Sequence, residues 1–265
     1  MLEPLPTLRA PDRPDSPLAR SLPATAAFAW LSAGWSDFRA GLAQSLIYGI
    51  CVVIFSYAVL WALASAGLLY LALPMVSGFL IVGPFFAIGL YEKSRAREEG
   101  ARIGLMRMLV IKGAPLGQLA FAGLMLGLLV LFWIRIADLL YALFFGLTPF
   151  PGAEDAFVNV LTTTRGWMLI GVGTAIGGLF AAFAFALSLF SIPMIMAERR
   201  DALTALGLSF AMTTHNLKPA LTWAAIVAGG LALSALTGLL GLAVVFPVLG
   251  HGTWHAYKAI RRLDK

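Results

Sequence analysis

Between Pro219 and Lys258 the chain runs for 38 residues, Ala220 to Tyr257, without one Asp, Glu, Lys or Arg. In water such a run needs a large polar shell to hide it. This chain has 265 residues, of which 60% are hydrophobic and only 12% charged, whereas soluble domains carry roughly 25% charged residues. A bilayer accepts such runs, and its hydrocarbon core of roughly 30 Å takes about 20 helical residues per crossing. The pattern predicts an all-α, polytopic membrane helical bundle. A lone cysteine, Cys51, excludes an internal disulfide.

Four further apolar runs are of spanning length: Ala43 to Ala66, Leu68 to Tyr91, Leu116 to Leu139 and Trp167 to Met196. Gly67 alone separates the first two, which predicts a tight helical hairpin. The 38-residue run is one very long helix or two shorter ones. Charge placement decides, because Lys and Arg of short loops stay on the cytoplasmic side. With the N-terminus inside, Arg9, Arg13, Arg20 and Arg39 precede the first span. Lys93, Arg95, Arg97, Arg102, Arg107 and Lys112 follow the second, and Arg199, Arg200 and Lys218 follow the fourth. The loop after the third holds Glu154, Asp155 and Arg165. Six spans, with a hairpin tip at Thr237-Gly238, bring Lys258, Arg261, Arg262 and Lys265 inside too. Then 17 of 19 basic residues are cytoplasmic. We therefore expect six transmembrane helices with both termini cytoplasmic. The net charge of +6 fits an inner face that attracts anionic lipid rather than nucleic acid.

The domain boundaries follow. Residues 1–24 form a Pro-rich tail, with six prolines before Ala24, expected to be disordered. Residues 25–42 form an amphipathic helix with Leu31, Trp35, Phe38 and Leu42 on one face, lying in the interface or packed on the bundle. Residues 43–258 are the six-helix domain and 259–265 a basic tail. Each helix that crosses from outside to inside carries a proline in its inner half: Pro84 after Gly83, Pro193 and Pro247. Two are followed by amphipathic stretches. Ile103, Met106 and Val110 share one face, and Leu203, Leu206 and Phe210 share another after an N-cap at Asp201. A duplicated unit of kinked helix, interfacial helix and next span explains this grammar, as do independent uses of kinks. Gly83 and Pro84 either shape the bundle or line a cavity.

Several phrases look like a known family. They are Trp30-Leu31 with Gly34-Trp35, Ser45-Leu46 with Tyr48-Gly49, Gly78-Phe79-Leu80 with Val82-Gly83-Pro84, Gly89-Leu90-Tyr91-Glu92, and Pro247-Val248-Leu249-Gly250-His251 with Thr253-Trp254-His255 and Tyr257. Over about Trp30 to Arg262 the chain resembles the bacterial integral membrane proteins labelled domain of unknown function 2189. The resemblance implies a multi-span architecture in a bacterial inner membrane. Some members carry the label cytochrome oxidase subunit I, a subunit that binds two haems and a copper through six histidines. Only His215, His251 and His255 exist here.

His251 and His255 stand four apart on one helical face, a spacing able to ligate metal or haem iron. His215, Glu92 and Glu198 are predicted at the same cytoplasmic level, so the five form a candidate cluster. The bland alternative makes Trp254, His255 and Tyr257 interface anchors and His251 a packed polar residue, and no cofactor is the leading expectation. Arg135 and Asp138, three apart in the third span, predict an intramembrane ion pair, near the outer headgroups or deeper if the helix slides. Gly171-Val172-Gly173 with Gly177-Gly178 lacks the strand and loop of a dinucleotide site and reads as close helix packing. The leading functional expectation is a non-catalytic accessory or partner-binding membrane protein. The alternative is a small-solute transporter, for which a polar mid-membrane cavity between the second and fourth spans is the discriminating feature.

Overall fold

The computed structural model describes residues 18–68, 72–101, 103–110, 113–146 and 152–261. The Pro-rich segment up to residue 17 and the last four residues of the basic tail lie outside the described residues. What is described is helical, with no strand among the described residues. The elements are α1 (Ala26–Ala40), α2 (Leu42–Ser65), α3 (Ala72–Phe86), α4 (Ile88–Glu98), α5 (Leu105–Leu109), α6 (Leu116–Phe145), α7 (Ala153–Thr162), α8 (Thr164–Ser188), α9 (Ser191–Glu198), α10 (Ala202–His215), α11 (Leu217–Leu236) and α12 (Leu242–Arg261).

Four segments are long and apolar enough to cross a membrane: α2, α6, α8 continued by α9, and α11. Their outer faces carry exposed Ile54, Trp61, Leu131, Leu179 and Leu236, as lipid requires. The expected α11–α12 turn is present, with Gly238 (φ +61°) in it. Gly67 (φ +71°) ends α2, but the connection to α3 runs through residues outside the described ones, and α2 packs mainly on α12 while α3 packs on α6 and α8. The third run is longer than expected, because the apolar residues after Leu139 continue α6 to Phe145. At 1.5 Å per residue its thirty residues reach about 45 Å, beyond a roughly 30 Å hydrocarbon core.

Two of the three expected kinks are helix breaks, and each is repaired by a hydroxyl from a neighbouring helix. Past Pro84, which has no N–H to donate, α3 ends at Phe86 and α4 starts at Ile88. Tyr48 of α2 donates to the Phe86 carbonyl at 2.8 Å. Pro193 likewise cannot donate to the carbonyl of Leu189, and α8 and α9 part there. Ser209 of α10 fills the gap: it accepts from Phe190 N–H (3.0 Å) and donates to the Ala186 carbonyl (2.7 Å). Pro247 leaves α12 unbroken.

The core is built around α12, whose inner part, Phe246 to Trp254, is buried throughout. Small residues set how closely its neighbours approach. A Cβ on Gly34 of α1 would sit 2.5 Å from the Val248 carbonyl and 2.6 Å from Gly252 N, and one on Gly49 of α2 would sit 2.1 Å from the Ala243 carbonyl. That contact gives α1 its inward face, Ala27, Trp30, Gly34, Asp37 and Phe38. Of the four residues predicted to share its apolar face, only Phe38 is buried, while Trp35 and Leu42 face outward. The reason is that backbone proximity, not apolarity, selects the face. Similarly α5 buries Met108, with Ile103 buried just before it, and leaves Met106 and Val110 exposed. Helix α10 starts at the predicted cap, where Asp201 accepts from Thr204 N–H at 2.9 Å, but buries Ala205, Leu206 and Ser209 and exposes Leu203.

Part of the expected disordered tail is docked. Arg20 donates to the carbonyls of Ile260 (2.9 Å) and Arg261 (3.4 Å), while its own N–H donates to Asn216 Oδ1 (2.9 Å). Asn216 in turn donates to the Leu18 carbonyl at 2.7 Å. Orphan carbonyls at the end of α12 attract that guanidinium. The same docking makes residues up to Arg261 part of the fold rather than of a free tail, with Ile260 buried.

Candidate functional site

Side chains of α1, α2, α4 and α12 converge on one buried polar cluster. Asp37 ends α1, Ser45 opens α2, Lys93 and Ser94 lie in α4, and His251 and His255 lie one turn apart in α12. Asp37, Ser45, Lys93, Ser94 and His251 are all buried. Close approach at Gly34 brings Asp37 against α12, and the Gly49 contact brings Ser45 beside His251.

The contacts form an unbroken chain. Lys93 Nζ donates to Ser45 Oγ (2.6 Å) and to the Gly41 carbonyl (2.7 Å). Ser45 Oγ meets His251 Nε2 at 3.0 Å, and His251 Nδ1 meets Ser94 Oγ at 2.8 Å. Ser94 Oγ donates to Asp37 Oδ2 at 2.5 Å. Asp37 also accepts from His255 Nε2 at 2.9 Å and from Arg97. Lys258 donates to Glu98 at 2.7 Å, with His255 Nδ1 3.8 Å from the same carboxylate.

Counting hydrogens fixes the direction of this chain. A carboxylate only accepts and an ammonium only donates. Ser94 spends its single hydrogen on Asp37, so the hydrogen between Ser94 and His251 sits on Nδ1. His251 Nε2 is then the acceptor for Ser45, whose oxygen takes the hydrogen from Lys93. Every hydrogen points from Lys93 toward Asp37, and His251 is the neutral Nδ1–H tautomer. This assignment rests on the network.

The two ends are far apart in acidity. Burial pushes Asp37 up, but hydrogen bonds from His255 and Ser94 and the nearby histidines outweigh it and hold the carboxyl at about 2. Burial pulls Lys93 down to about 8, against the attraction of Asp37. Both shifts leave the ordinary charges in place at neutral pH, an ammonium at Lys93 and a carboxylate at Asp37. The arrangement can hold charge apart and lock four helices.

The residues foreseen as one inner-surface cluster are distributed over several sites. His251 and His255 belong to the chain just described, and both ring nitrogens of His251 are occupied by serines. Glu92 pairs with Arg95 (2.8 Å) and faces Arg107 (3.6 Å). Glu198 clamps the end of α9 to α12, accepting from Tyr257 (2.7 Å), Arg261 Nε (2.7 Å) and Arg261 Nη2 (2.9 Å), with Arg200 at 3.0 Å. His215 is exposed and its Nδ1 meets the Ala211 carbonyl at 2.7 Å. Among the described residues, no three His, Cys, Asp or Glu side chains gather in a metal-binding group. Arg135 donates to Asp138 at 3.1 Å on an exposed face of α6. Gly83 and Pro84 border a cavity of about 70 Å³ between the two broken helices, shared with Phe79, Ser188, Phe246 and Thr253. At about 30 Å³ per water it has room for about two.

Asp37, Ser45, Lys93 and Ser94 escaped the sequence reading. One signal was available for Asp37: with Ala27, Trp30 and Gly34 it completes a helical stripe ending in a carboxylate.

Residues 71–197 match the family described as predicted integral membrane protein (DUF2189). No curated protein and no solved structure matches the chain.

Proposed function

We propose, from the match of residues 71–197 to these integral membrane proteins, that the chain is a non-catalytic accessory protein of a bacterial inner membrane. It crosses six times, with α3 and α4 as far as Tyr91 forming the second span, α12 as far as Tyr257 the sixth, and both termini in the cytoplasm. The polar cluster lies at the cytoplasmic end, with α1, α5 and α10 beside it at the interface. The observation that carries this reading is the consumption of the cluster by itself. Lys93, Ser45, His251, Ser94 and Asp37 use their polar atoms on one another and on flanking groups, so the cluster works as a lock that holds a rigid inner platform. The basic residues around it offer that platform to anionic lipid and to a membrane partner. Native gel electrophoresis after mild solubilisation tests this: the chain is expected in an assembly of fixed stoichiometry with another membrane protein. A chain that migrates alone, at native expression level and after in-cell crosslinking, counts against it.

A second reading, small-solute transport, draws on the two broken helices packed beside one another with a cavity between them. It requires the cavity to open well beyond two waters. Solute-dependent protection of a cysteine placed at Gly83 is its signature, and unchanged labelling across a broad solute panel removes it.

A further inference from the structure

A second, larger concavity lies away from the polar cluster, between α6, α8, α10 and α11. It has a volume of about 1030 Å³, at the upper end of the roughly 300–1,000 Å³ typical of small-molecule sites. Its floor includes Gly173 and Gly178, its walls Trp133 and Phe180 on one side and Leu221 and Ala224 on the other. The lining is mostly apolar, with Tyr141 and Thr174 along its length and Thr213 and Thr214 at one end, where they meet the start of α11 at Leu217. The neighbours of those residues, His215 and Lys218, are exposed. From Ala202 to Arg261 the chain has no Asp or Glu, so helices α10 to α12 offer no carboxylate of their own to neutralise that end.

We propose that this cleft is a binding site for one two-chain anionic phospholipid, its headgroup at His215 and Lys218 and its acyl chains along α8. Size supports this occupant. A methylene fills about the room of a water in the liquid, about 30 Å³, so the cleft takes about thirty methylenes, which is two acyl chains. Length supports it as well. The lining residues of α8 run from Leu169 to Ala186, about 26 Å of helix, more than the roughly 15 Å of hydrocarbon in one leaflet. Charge selects the headgroup, since an ammonium near the surface favours an anionic lipid about fivefold. The site is independent of the accessory role proposed above.

The fold permits a clean test. A Cβ at Gly173 or Gly178 meets nothing within 4 Å, and replacing a helical glycine improves helix propensity. Gly173→Phe with Gly178→Leu therefore places two large side chains in the path of the acyl chains, taking up about a third of the cleft, without a clash at the backbone. The protein is equilibrated in vesicles of equal phosphatidylglycerol and phosphatidylcholine, extracted in mild detergent, and weighed by native mass spectrometry. One phosphatidylglycerol per chain is expected, about fivefold over phosphatidylcholine. His215→Gln with Lys218→Gln brings the two lipids to parity while keeping one lipid bound. The cleft-blocking pair loses the bound lipid, whereas Ile54→Phe on the exposed face of α2 keeps it. Equal retention of both lipids by the unmodified chain overturns the proposal. So does undiminished lipid in the blocked variant, or a dimer that the blocked variant abolishes, since a second copy is then the occupant.

Discussion

Replacing Asp37 with alanine removes the acceptor on which the polar chain ends. The side chain is 7% exposed and accepts from Ser94, His255 and Arg97. Removing one member of a buried charge network costs about 3–5 kcal/mol. Two of the three donors soften that loss: the Arg97 side chain is 43% exposed and His255 22%, so both turn toward water. Ser94 is fully buried and has no such escape. We therefore expect the lower end, about 3 kcal/mol, read by denaturant titration in nanodiscs. The consequence travels further. Freed from Asp37, the Ser94 hydrogen turns to His251 Nδ1, the ring hydrogen moves to Nε2, and Ser45 must accept from both His251 and Lys93. Histidine ¹⁵N shifts report that change of tautomer. Asp37→Asn, which keeps the shape, is expected to lose about half as much. A loss below about 1 kcal/mol, within the range of an exposed ion pair, with an unchanged His251 tautomer would refute the directional network.

The ends of the chain also predict pH behaviour. Lys93 titrates at about 8 in the fold, below its ordinary 10.5, so between these values the unfolded chain binds more protons and stability rises with pH; Lys93→Met is expected to flatten that rise. Asp37 is held at about 2 against an ordinary 3.8, so its contribution is complete above about pH 4 and fades as pH falls through 2, a decline that Asp37→Asn removes. Gly34→Val drives a side chain into the Val248 carbonyl and Gly252 N and is expected to cost about 3 kcal/mol or more, seen as lost accumulation in the membrane; Gly34→Ala, whose Cβ meets the same backbone atoms, is expected to lose accumulation too, whereas Gly178→Ala, with open space at its Cβ, is not. Ser209→Ala strands the Phe190 N–H at the α8–α9 break and leaves the Ala186 carbonyl only the long bond from Thr213 (3.5 Å), a loss of about 1–3 kcal/mol, while Thr214→Ala, on an exposed neighbour, changes little.

What the sequence could reveal follows from the medium. Run length, glycine turns and proline breaks are local, and Gly67, Thr237-Gly238, Asp201, Pro84 and Pro193 all marked real boundaries. The Arg135–Asp138 pair was equally local. The inner face of each helix was harder to read. In water a Leu–Trp–Phe stripe points inward, but lipid is as apolar as those side chains, and packing depends on small residues and polar bonds instead. That is why Trp35 and Leu42 misled for α1, whereas Gly34 and Asp37 carried the contact. The cluster joins Asp37 to His255 across 218 residues, a relation that periodicity within a single helix cannot express. Equal depth in the membrane also grouped Glu92 and Glu198 with the histidines, yet nearby arginines claimed both carboxylates.

The central claim places the polar lock at the cytoplasmic end of a membrane-spanning bundle. Single cysteines in a Cys51→Ser background, probed with a membrane-impermeant maleimide, test it most directly. Glu99 and His215 are exposed near the basic ends and Asp155 is exposed on α7. The account predicts that Asp155→Cys labels in intact cells and that Glu99→Cys and His215→Cys label only after the inner membrane is opened. Labelling of Glu99→Cys and Asp155→Cys from the same side would contradict it.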